Sequence, residues 1–127
     1  AQFATADMSQ AFRMTEVFAQ VFEIIEASYE RKLDPDSMSA ARFVTHLRYL
    51  FVRASRASAN HPEDRDEVSQ PSLLAALRAD APRAYACAQK VLLVLQMQLN
   101  QSLTRDELTY LTIHIARLAR DMWGINA

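Results

Sequence analysis

One glycine and four prolines in 127 residues leave few places for tight turns and little material for β-hairpins. No apolar run approaches the roughly 20 residues that would span a bilayer, although half of the residues are hydrophobic. Charge of neither sign prevails. Fourteen basic against 15 acidic side chains give a net charge of -1, which is no electrostatic footprint for nucleic acid. The single cysteine, Cys87, excludes an internal disulfide and fits a reducing, cytoplasmic setting, where it reads as a small apolar residue on a helix. No glycine-rich loop is present to cradle a phosphate or nucleotide, so no cofactor is expected. What remains is an all-α reading: one domain over 1–127, large enough for a core without staples. Ala1-Gln2-Phe3-Ala4-Thr5 has neither an initiator Met nor a signal-peptide pattern. The chain is therefore expected to be a piece of a longer protein, with 1–8 a poorly ordered lead-in.

Hydrophobic periodicity and breakers divide the chain into five helices. The first is predicted from about Ser9 to Arg31, apolar on more than one face, and it is stopped by Leu33-Asp34-Pro35. The second runs from near Ser39 to about Ser58 on a stripe of Phe43, Leu47, Leu50 and Ala54. Residues 59–70 read as a solvated, mobile loop holding an incidental His61. A short helix follows from Pro71 to Ala79. Asp80 is expected to cap the next, which opens on Pro82 and ends near Leu99. A short link at Asn100-Gln101-Ser102 then makes the fourth and fifth helices antiparallel neighbours. Thr104 and Glu107 form a capping-box pattern, Leu108, Leu111, Ile115 and Leu118 the apolar stripe, and Gly124 a left-handed stop. No internal repeat is apparent.

Two histidines stand out. His46 lies beside Phe43, Leu47 and Leu50; His114 lies beside Leu111 and Ile115, with Arg117 one turn on. Each is a titratable ring at the edge of a buried face, and two bland explanations fit that placement. Both could be hydrogen-bonded core histidines in a constitutive helical dimerisation module. They could also belong to a metal site, but neither has a His one turn away or a closely spaced Cys pair, so no metal is expected. Arg53 follows His46 by seven residues at nearly the same angle, roughly 10 Å along the axis, too far for simple pairing.

Glu107-Leu108-Thr109-Tyr110-Leu111-Thr112-Ile113-His114-Ile115-Ala116-Arg117-Leu118 resembles the C-terminal histidine motif of the PTS regulation domain. This domain occurs in BglG/LicT-type transcriptional antiterminators and in related DNA-binding activators. Arg42-Phe43-Val44-Thr45-His46-Leu47-Arg48-Tyr49-Leu50-Phe51-Val52-Arg53 resembles the family's first histidine motif, and Ala81-Pro82-Arg83-Ala84-Tyr85 its short Pro-and-Tyr segment. The matches run from about residue 39 to 119 in the family's order, and both histidine motifs look more like the second of two tandem copies.

The resemblance implies a compact five-helix bundle with antiparallel helix pairs and no enzymatic activity. It implies His46 and His114 as phosphoryl acceptors, with HPr and/or a sugar-specific enzyme II component as donors. Arg53 and Arg117 are then the candidates to receive the phosphate, since guanidinium binds it in bidentate fashion. A homodimer whose packing responds to phosphorylation is implied as well, with RNA binding confined to an N-terminal domain outside this chain.

Overall fold

In the computed structural model the backbone of residues 2–57 and 71–126 and the side chains of residues 11–54 and 71–126 are described. These residues form five α-helices: α1 (Gln2–Tyr29), α2 (Met38–Ala57), α3 (Pro71–Asp80), α4 (Pro82–Leu99) and α5 (Arg105–Trp123). The expected loop at 59–70, with His61, lies outside the described residues. None of the described helices is long and apolar enough to cross a membrane.

α1 begins well before the expected Ser9. The opening residues carry no Gly or Pro to halt a helix once it is nucleated, so it extends through the segment read as a lead-in. Its stop is built from backbone geometry. Glu30 adopts the left-handed conformation at φ 53°, and the Arg31 N–H returns to the Glu26 carbonyl at 3.2 Å. The Glu26 carboxylate then accepts the Leu33 N–H at 2.8 Å. α4 ends with the same device. Asn100 is left-handed at φ 53°, the Gln101 N–H returns to the Gln96 carbonyl, and the Gln96 side-chain oxygen accepts the Leu103 N–H at 2.9 Å.

After α1 the helix starts fall within a residue of expectation, but their caps differ. Ser37 caps α2, accepting the Ala40 N–H at 3.1 Å while its hydroxyl donates to the Asp34 carbonyl. Asp80 does not cap α4, because it is still the last residue of α3. The N-cap is Ala81, whose N–H closes α3 on Leu77 while its carbonyl accepts Tyr85 N–H. Pro82 occupies the first turn of α4, as read. Thr104 is the N-cap of α5, but the capping box is incomplete. Its hydroxyl donates to the buried Glu107 carboxylate instead of accepting a backbone N–H.

The main packing pairs are α1 with α4, α2 with α5, and α4 with α5. The α4–α5 pair therefore packs against α1 through α4 and against α2 through α5. Val17, Val21 and Ile25 of α1, Leu47 and Leu50 of α2, Val91 and Leu95 of α4, and Leu111 and Ile115 of α5 fill the core. α3 buries no residue and lies against α4 and α5 from outside. Cys87 is buried in the core, and burial raises its thiol pKa above the ordinary value. At its far end α5 is tied to the α1–α2 turn. The Trp123 indole N–H donates to the Lys32 carbonyl at 3.2 Å, and its ring packs on Tyr29 at 5.4 Å between centroids. Gly124 ends the helix in the left-handed region at φ 67°, as its sequence position predicts.

Candidate functional site

Because α2 and α5 pack side by side, the edges of their apolar stripes meet, and the edges carry the histidines. The His46 and His114 rings stack with centroids 3.9 Å apart and planes at 21°. Tyr110, one turn before His114 on α5, completes the cluster. Its ring lies 4.4 Å from His114, and its hydroxyl is 3.1 Å from His46 Nδ1. The same hydroxyl is 3.4 Å from the His46 carbonyl oxygen.

The stacked pair lines a small groove with Ser39, Arg42, Phe43, Arg117, Leu118 and Asp121. Both imidazoles are half-buried, whereas Arg42 and Arg117 are exposed and flank them. Arg42 meets Asp121 across the groove at 3.4 Å. Ion pairs this exposed contribute little to stability, so the guanidinium can change partner at small cost.

Two like-charged rings could not stay this close at low cost, and the electrostatics agree. Burial is the largest influence on His114; the His46 ring and Arg117 act in the same direction, and its pKa falls from 6.5 to about 4. At neutral pH His114 is therefore a neutral imidazole with one nitrogen lone pair free. Tyr110 is pushed the other way: burial raises its pKa, Arg53 lowers it and Tyr49 raises it again. Among the described residues, no group of three or more His, Cys, Asp or Glu side chains converges in a way that could hold a metal ion.

Of the four residues singled out from sequence, the structure brings His46, His114 and Arg117 to one groove. Arg53 sits elsewhere. Its guanidinium lies over the Tyr49 ring at 5.5 Å and the Tyr110 ring at 5.2 Å, and it is not among the groove-lining residues. Sequence reasoning missed Arg42 and Tyr110. Each stands four residues before a histidine, one turn away on the same face, and that spacing was the available signal.

An all-helical domain that presents two imidazoles from separate helices between guanidiniums belongs to a class of surface histidine sites rather than enclosed ligand pockets. Residues 19–118 match the PRD domain family, and the chain belongs to that family. It is 30% identical over 114 residues to the transcription antiterminator LicT of Bacillus subtilis (strain 168), covering 90% of this chain and 39% of LicT. It is 26% identical over 111 residues to the PtsGHI operon antiterminator of the same organism, covering 87% of this chain and 37% of that protein. To protein GlcT of Staphylococcus aureus (strain JH9) it is 29% identical over 108 residues, covering 85% of this chain and 36% of GlcT. The chain thus spans less than two-fifths of the length of these curated relatives. No solved structure matches it.

Proposed function

We propose that this chain is a regulatory domain of a cytoplasmic transcriptional antiterminator, and that His46 and His114 accept phosphoryl groups from proteins of the sugar phosphotransferase system. HPr, a sugar-specific enzyme II component, or both are the donors. The observation that carries the reading is the stacked, half-buried histidine pair in a small groove lined by the exposed Arg42 and Arg117. Such a site suits protein-to-protein transfer. The donor brings an activated phosphoryl group, so the acceptor needs a neutral ring nitrogen and cationic neighbours for the arriving charge, and no metal or general base. His114 supplies the neutral ring. Arg117, and Arg42 once it leaves Asp121, supply the cations. The phosphate then alters subunit packing in a homodimer, and through it an RNA-binding domain outside this chain.

The test is to incubate the protein with enzyme I, HPr or the enzyme II component, and phosphoenolpyruvate, followed by intact-mass measurement under non-acidic conditions. Up to two added phosphoryl groups are expected, one lost in His46→Ala and one in His114→Ala. A constitutive dimerisation module with structural histidines would keep its mass unchanged with every donor.

A further inference from the structure

We propose that Tyr110 is a positioning residue that fixes the tautomer of His46 and so makes Nε2 the nitrogen that takes the phosphoryl group. The inference rests on His46 being an acceptor. The Tyr110 hydroxyl is in reach of two groups, His46 Nδ1 at 3.1 Å and the His46 carbonyl oxygen at 3.4 Å, and it has one proton to give. Turned to the carbonyl, that proton leaves the hydroxyl oxygen free to accept from Nδ1–H, and both contacts are made. Turned to Nδ1, it makes one contact and abandons the other. The arrangement that satisfies both puts the ring proton on Nδ1 and leaves the lone pair on Nε2.

Position agrees with this division. His46 lines the groove, and the Tyr110 contact occupies its Nδ1, which leaves Nε2 as the ring nitrogen offered to an incoming group. Burial keeps the Tyr110 pKa above its ordinary value despite the opposing Arg53, so the hydroxyl stays a neutral phenol at neutral pH. His114 differs: among the described residues no hydrogen bond holds its ring, which is placed by stacking on His46 and Tyr110.

The transfer step balances without a base. The Nε2 lone pair of His46 attacks phosphorus while the bond from phosphorus to the donor's phosphoryl-bearing atom breaks, and that electron pair stays with the donor's leaving atom. His46 gives up no proton. Its ring becomes an N-phosphorylated imidazolium that still carries Nδ1–H, and the growing positive charge strengthens the hydrogen bond to the Tyr110 oxygen. Tyr110 thus acts through His46 and never touches the phosphoryl group.

The test uses the 127-residue chain. Ring nitrogen chemical shifts of His46 in the isotope-labelled, unmodified protein should report Nδ1–H as the major neutral tautomer. Tyr110→Phe keeps the ring that packs on His114 and removes only the hydroxyl, and it should move the balance toward Nε2–H. Phosphoramidate, a small phosphoryl donor, should then give the Nε2-linked phosphohistidine at His46. In Tyr110→Phe that reaction should slow by on the order of tenfold, the size of one hydrogen bond, with His114 little affected. An Nε2–H tautomer in the wild type, a tautomer indifferent to Tyr110→Phe, or an Nδ1-linked product would overturn the inference. If phosphoramidate gave the Nε2 product while HPr and the enzyme II component gave none, the donor assignment would fail and the role of Tyr110 would stand.

Discussion

Burial, the stacked His46 ring and the Arg117 guanidinium all act in one direction on His114, and together they carry its pKa from 6.5 to about 4. The unfolded chain therefore takes up a proton at this position that the native state refuses. Stability owed to the neutral ring is complete above pH 6.5 and is lost as pH falls from 6.5 toward about 4. The urea midpoint should decline over that interval, and less steeply in His114→Gln. Arg117→Met should raise the His114 pKa part of the way back, since Arg117 is the last of its three influences; ring-proton titration by NMR checks this. The histidines themselves were legible, because each sits inside a motif. Their partners were only half legible. Spacing along one helix says which side chains share a face, and it placed Arg117 beside His114. It cannot say that Tyr110 of α5 will occupy the ground beside α2, where it meets both Arg53 and His46.

Among the helices, the two left-handed stops offer a matched pair of tests. Glu30 and Asn100 share φ 53°, but a Glu has no side-chain reason to tolerate it, whereas Asn adopts this region more readily. Glu30→Gly should raise stability by a few tenths to about 1 kcal/mol, and Asn100→Ala should lower it by about 1 kcal/mol. Urea unfolding would measure both. Opposite signs are the point: two losses would mean that the side chains, rather than the backbone conformation, hold these ends. The shared device also explains why no repeat was visible in sequence. It needs a carbonyl, a side-chain oxygen and a left-handed residue, and Glu26 with Glu30 meets that need as well as Gln96 with Asn100. The capping box at Thr104 was misread for a similar reason. A Thr hydroxyl three residues before a Glu can donate to that carboxylate or accept a backbone N–H, and residue types alone do not decide between them.

For the molecule as a whole, five helices could be read from breakers and stripes, but which of them pack together could not. A stripe shows which face is buried and leaves the partner open. The pairing of α2 with α5 is what brings together histidines 68 positions apart in sequence, from 46 to 114. A phosphate there adds about -1.5 to -2 charges to a chain of net charge -1, and a symmetric dimer receives the addition twice. About 1.4 kcal/mol changes the monomer–dimer ratio tenfold, less than one charge-assisted hydrogen bond can supply. Phosphorylated protein, and more weakly His46→Asp or His114→Asp, should therefore differ from His→Ala variants in dimer affinity or subunit arrangement. Sedimentation and small-angle scattering would record the change. Identical profiles for phosphorylated and unmodified protein would remove the proposed packing switch.

Trp123 is the sole tryptophan in the sequence, and its indole is pinned to the turn that launches the helix of His46. The domain thus contains an optical gauge that needs no label. Emission excited through the indole reads one seam, where the end of α5 meets Tyr29 and Lys32. A red shift on phosphorylation would mean that water enters the seam and that α5 lifts along its length. An unchanged spectrum alongside a changed dimer would confine the motion to the contact between subunits.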